Sequence, residues 1–93
     1  MSLITIIGAE WCAPCKFLKA NIEDWAASIK CEIPIVYEEY DEEKHHVKKL
    51  PTTLYTYDGL EKQRIEGRDE TQVKVFLMNA EAYGEFLRYG YGD

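Results

Sequence analysis

Two cysteines three residues apart, Cys12 and Cys15, are the side chains in this sequence best suited to do chemistry. Disulfide exchange needs a thiolate that attacks and a second thiol close enough to expel the resulting mixed disulfide. The segment Trp11-Cys12-Ala13-Pro14-Cys15-Lys16 supplies both. On a helix, residues i and i+3 share a face, so the two side chains can approach disulfide distance without stretching the backbone. A helix opening near Cys12 gives that sulfur free N–H groups and the positive end of the dipole, which stabilise a thiolate. Cys12 is therefore the expected nucleophile. Cys15, one turn deeper, is the expected resolving thiol. Pro14 suits the first turn, where its missing N–H costs nothing, and stiffens the loop between the sulfurs. Lys16 closes the motif, although a solvated helix lysine has the same appearance.

The same pair can also be half of a zinc site, with Cys31, His45 or His46 as further ligands. Structural zinc sites usually show two paired ligand motifs, and a His-His dipeptide on a charged segment more often marks a solvated surface. Cys31 reads more simply as a half-buried small residue. No metal is expected.

The 93 residues suffice for one compact domain, expected to span residues 1–93. Hydrophobic residues at 46% and charged residues at 30% are ordinary globular usage and disfavour disorder. A net charge of −6 opposes binding to phosphate backbones and anionic lipids, so nucleic acid and membranes are not expected partners. The opening run from Met1 to Gly8 has no basic leader and is too short for a membrane span. With an odd cysteine count as well, a cytoplasmic protein is expected rather than a disulfide-stapled secreted one.

The elements that must hold the two sulfurs can be read from periodicity. Leu3 to Ile7 is almost wholly apolar and β-branched, as in a central strand. Leu18, Ile22, Trp25, Ala26 and Ile29 fall on one face of a long helix opening near Cys12. Ile33 to Tyr37 makes a second strand, with Pro34 at its start or on a sheet edge. Strand, helix and strand form a right-handed crossover that makes the two strands parallel. The acidic stretch Glu38 to Glu43 should lead into a short helix over Lys44 to Lys49, ended by Pro51. Thr52 to Tyr57 and Leu60 to Glu66 form an antiparallel hairpin about Asp58-Gly59. A last helix, capped by Asp69 or Thr71, carries Val73, Phe76, Leu77, Ala80, Tyr83 and Leu87 on one face, and Gly84 should weaken its far end. The chain from about residue 88 to residue 93 is expected to fray. The fold class is α/β, a four-stranded mixed sheet with flanking helices.

Ala9-Glu10-Trp11-Cys12-Ala13-Pro14-Cys15-Lys16 resembles the active-site segment of the thioredoxin family, with Ala13 in place of the usual glycine. Leu50-Pro51-Thr52 resembles the family's cis-proline segment, and Gly67 its glycine after the last strand. The resemblance implies a thioredoxin-like fold in a minimal version, without the extra N-terminal strand and helix of full thioredoxins. It implies a protein-disulfide reductase in which Trp11, Leu50, Pro51 and Gly67 border the substrate groove. A cis bond at Pro51 turns the Leu50 backbone outward, where an extended substrate segment can pair with it. No bound cofactor is implied beyond the redox-active Cys12–Cys15 disulfide, restored by a thioredoxin reductase-like, NADPH-linked flavoprotein or by glutathione. The implied partners are disulfide-containing proteins such as ribonucleotide reductase, and a monomer is expected.

Two departures stand out. The family commonly buries an aspartate on the strand before the motif, whereas Leu3 to Ile7 offers only Thr5, so Cys15 must lose its proton another way, to water or to Glu10. The short length is also similar to glutaredoxins, which hold glutathione partly through paired glycines and acids. Glu66-Gly67-Arg68-Asp69-Glu70 keeps one of those glycines and an acidic pair. A glutathione-dependent oxidoreductase is thus the alternative, and a non-catalytic metal-binding or interaction module a more distant one.

Overall fold

The computed structural model describes residues 1–89. Its four-stranded sheet comprises β1 (Ser2–Gly8), β2 (Ile35–Glu39), β3 (Thr52–Tyr57) and β4 (Leu60–Glu66), in the order β2-β1-β3-β4. The helices are α1 (Ala13–Ser28), between β1 and β2, and α2 (Glu70–Tyr89), after β4. The apolar run is indeed a central strand, paired parallel to β2 and antiparallel to β3. β2 starts two residues later than the sequence suggested. Pro34 lacks an N–H for the ladder and stays outside it, while its carbonyl accepts from Ile4 N–H at 2.9 Å. In the β3–β4 hairpin, Asp58 and Gly59 both adopt positive φ, 53° and 84°, as a type I′ turn requires.

Strand alternation decides what each helix covers. Ile4 and Ile6 of β1 share a face with Tyr55 of β3 and Tyr37 of β2, because residues opposite one another in the register point to the same side. Leu18, Ile22, Trp25 and Ala26 of α1 and Val73, Phe76, Leu77 and Ala80 of α2 join Ile4, Ile6 and Tyr55 in a single buried cluster. Both helices therefore lie on this one face. α2 begins after Asp69, whose Oδ2 accepts from Gln72 N–H at 3.0 Å, so Asp69 and not Thr71 is the cap.

α2 runs on past Gly84 through Arg88 and Tyr89. A Cβ at Gly84 would stand 2.8 Å from Ser2 Oγ and 3.0 Å from the Tyr55 hydroxyl, two groups joined by a 2.9 Å hydrogen bond. The missing side chain lets α2 pass close to the sheet. Residues 90–93 of the expected tail lie outside the described residues.

The short helix expected over Lys44 to Lys49 does not form. Glu38 and Glu39 belong to β2, and backbone bonds from Lys44 and His45 to the Asp41 carbonyl make one isolated turn. Side-chain bonds then take over from backbone ones, the usual competition in such segments. His45 Nδ1 accepts from Asp41 N–H at 3.0 Å and its Nε2 donates to Glu38 Oε1 at 2.9 Å. Farther on, Arg64 donates to the His46 carbonyl at 2.9 Å and Thr52 Oγ1 to the Lys49 carbonyl at 2.5 Å. Glu38, Arg64 and Thr52 occupy the face opposite the helices, so residues 41–50 form a strap across it above buried Ile7 and Thr52. His45, expected at the surface, has a side chain only 8% exposed.

The His45 hydrogen bond, ahead of the nearby Lys44 charge, holds the Glu38 carboxyl below its ordinary value of 4.5. A depressed carboxyl contributes stability above its unfolded value and loses it as pH falls through the lower folded value. Glu38→Gln is thus expected to flatten the decline of the melting temperature below about pH 4.5. Thermal unfolding followed from neutral to acid pH checks this, and an unchanged acid limb counts against the strap's ionic anchor.

Candidate active site

Cys12 is the N-cap of α1 and is bonded to Cys15 in a disulfide, with Cα atoms 5.2 Å apart. The Cys15 N–H donates to Cys12 Sγ at 3.2 Å, so the first sulfur serves as the helix's capping acceptor. Pro14 occupies the first helical turn, where no N–H is needed. The two sulfurs differ in depth as the sequence predicts: Cys15 is fully buried and Cys12 is 6% exposed. An N–H and a helix start aimed at one sulfur stabilise negative charge there once the disulfide opens.

Leu50 packs against the small buried cluster of Ala9, Cys12 and Cys15. The Leu50–Pro51 bond is cis. Gly67, at φ 99°, donates its N–H to the Pro51 carbonyl at 2.9 Å, tying the end of β4 to the proline segment. A Cβ at Gly67 would meet open space, so its backbone angle and not crowding selects glycine there. Trp11 is 78% exposed at the mouth of the site, and Ala13 and Lys16 are exposed beside it. Next to Gly67, the Arg68 guanidinium lies 5.0 Å from the centroid of the Phe17 ring, a residue the sequence did not single out.

Other candidates are not brought to the site. Cys31 packs against the main core, where burial pushes its thiol above the ordinary range. His45 is engaged with Glu38 and Asp41, and His46 is exposed. Among the described residues, no group of three or more His, Cys, Asp or Glu is arranged to hold a metal. Thr5 is buried but pairs with Val36 and Leu54 on the sheet face away from α1. Glu10 is exposed, with its N–H donating to Glu39 Oε2 at 3.3 Å. What does stand beside Cys15 is Tyr37, whose hydroxyl lies against Gly8. A lone glycine ending an apolar strand was a signal of such close approach. The identity of the approaching residue depended on pairing between β1 and β2.

A mixed sheet that carries a two-cysteine couple at a helix start, with the residue before a cis-proline packed against it, defines a dithiol–disulfide exchange protein. The family model described as "Thioredoxin" matches residues 3–79, and the chain belongs to the thioredoxin family. It is 32% identical over 79 residues to a thioredoxin of Chlamydia pneumoniae, covering 80% of this chain and 76% of that one. The X-ray structure of Fasciola hepatica thioredoxin superposes with a TM-score of 0.72 at 26% identity, over 85% of this chain and 80% of that chain. The oxidised thioredoxin of Plasmodium falciparum, solved in solution, shares the fold with a TM-score of 0.72 at 21% identity, over 86% and 81% of the two chains. The protein is a thiol–disulfide oxidoreductase with its redox-active disulfide between Cys12 and Cys15.

Proposed function

We propose that this oxidoreductase works as a reductant of protein disulfides, with Cys12 as nucleophile and Cys15 as resolving thiol. The observation that carries the assignment is the Cys15 N–H directed at Cys12 Sγ at the start of α1, which favours the thiolate at the more accessible sulfur. The Cys12 thiolate attacks one sulfur of the substrate disulfide, forms the Cys12–substrate bond and releases the other sulfur as a thiolate. Cys15 then loses its proton, attacks Cys12 Sγ, closes the Cys12–Cys15 bond and releases the second substrate thiolate. Two electrons pass from the dithiol to the substrate. Trp11, Leu50, Pro51 and Gly67 form the groove that receives the substrate chain.

The proposed electron donor is an NADPH-linked flavoprotein of the thioredoxin reductase kind. Glutathione is the less suited donor because the acids that would hold its amine are already engaged. Asp69 caps α2, and Glu70 pairs with Lys74 at 2.8 Å. The proposed setting is a reducing cytoplasm, with a monomer acting on disulfide-bearing proteins, ribonucleotide reductase among the family's targets. NADPH with thioredoxin reductase is expected to drive insulin-disulfide reduction through this protein, while glutathione with glutathione reductase drives little. Recycling by the glutathione system alone would reverse the choice of donor.

A further inference from the structure

Tyr37 of β2 and Cys15 of α1 meet over Gly8, the last residue of β1. A methyl group placed at Gly8 would collide with the Tyr37 hydroxyl, lie 3.0 Å from Tyr37 Cζ and lie 2.9 Å from Cys15 Cβ. One point above the backbone thus lies close to both the phenol and the resolving cysteine. Tyr37 is opposite Ile6 in the register, on the face that α1 covers, and its ring reaches along the sheet to Gly8. Lys19, one turn beyond Cys15, holds its ammonium 4.4 Å from the centroid of the same ring. The ring is therefore held against the Cys15–Lys19 edge of α1. Among the described residues its hydroxyl makes no hydrogen bond.

We propose that Tyr37 is a positioning residue for the second half of the reaction, donating its O–H to Cys15 Sγ whenever that sulfur carries negative charge. The proposal rests on the assignment of Cys15 as resolving thiol. It fills the place that neither Thr5, on the opposite face, nor exposed Glu10 can fill. Burial first, and then the Glu39 and Glu10 charges, push the phenol above its ordinary range, so it keeps its proton at neutral pH and acts only as a donor. The groups facing it are Lys19 from α1, Glu39 from β2 and Glu10 from the loop after β1.

The proton of Cys15 leaves to water. Its thiolate attacks Cys12 Sγ, and the substrate sulfur departs with the bonding electrons. When a reductant thiolate later attacks Cys12 Sγ, Cys15 is the leaving group, and the same O–H stabilises it. A hydrogen bond to an ionised acceptor is worth about tenfold in an equilibrium. A tenfold larger thiolate fraction is offset by roughly threefold lower nucleophilicity, so resolution gains about threefold at neutral pH.

Tyr37→Phe keeps the ring and removes only the donor. In rapid-quench single turnovers of the reduced protein with insulin, the mixed disulfide at Cys12 is expected to form within about twofold of the wild-type rate. Its decay is expected to slow about threefold at neutral pH, with the pH profile of decay displaced upward by about one unit. NMR titration of the Cys15 Cβ in the reduced protein should show the same displacement. Wild-type decay and an unmoved profile in Tyr37→Phe would overturn the proposal. A protein that forms no mixed disulfide at Cys12 in any variant would overturn the cysteine assignment itself, and the role of Tyr37 with it.

Discussion

Cys12→Ser leaves at most about one thousandth of the wild-type turnover in insulin reduction, the loss expected when a covalent nucleophile is removed. A serine hydroxyl stays protonated where a thiol ionises, and the Cys15 N–H and helix start that favour a thiolate cannot shift a hydroxyl far enough. The variant keeps its fold because serine is itself among the favoured N-cap residues and can accept the bond that Cys12 Sγ now takes. Circular dichroism of the variant against reduced wild type separates lost chemistry from lost structure. Cys15→Ser is the informative partner, since it retains the first attack and accumulates the mixed disulfide. Undiminished turnover in Cys12→Ser would remove this sulfur from the mechanism.

Leu77→Ala has the largest expected effect on stability. Leu77 is fully buried in α2 within the cluster that joins both helices to Ile4, Ile6 and Tyr55. Truncating such a leucine costs about 2–5 kcal/mol, because the transfer energy of the lost carbons adds to that of the cavity left behind. In a domain of this size each kcal/mol lowers the melting temperature by roughly 4–8 °C, so a fall of at least about 8 °C is expected. Met78, the next residue but half exposed, provides the contrast: Met78→Ala should stay within about 0.5 kcal/mol of wild type. Thermal melts of the two variants under the same redox conditions test the assignment, and equal melting temperatures would contradict the core described here.

Much of this structure was legible from local signals. The β3 boundaries followed from its β-branched and aromatic run, and β4 from the antiparallel return after Asp58-Gly59, whose positive-φ preference specifies the turn without help from the rest of the chain. The helical spacing of Leu18, Ile22, Trp25 and Ala26 likewise announced the buried face of α1. Residues 41–50 were misread because their charge pattern suits a helix, while the bonds that win come from elsewhere in the fold. Glu38 reaches His45 from β2, and Arg64 reaches the His46 carbonyl from β4. The use of Gly84 was not legible for a related reason, since its propensity cost is local while the close approach it permits depends on Ser2 and Tyr55.

The sequence by itself determined the reacting pair, since the three-residue spacing, the helix start and Pro14 all act within one turn. It also determined the order of burial of the two sulfurs and the central strand that supports them. Leu50, Pro51 and Gly67 were legible only through the family resemblance, and the tertiary structure alone decided their contacts, Leu50 against the cysteines and Gly67 bound to Pro51, and brought Tyr37 over Gly8. The physical reason is reach. Helix periodicity and turn preferences operate over a few residues, whereas Tyr37 comes beside Cys15 only through the parallel register of β1 and β2, which depends on how the whole hydrophobic face is buried.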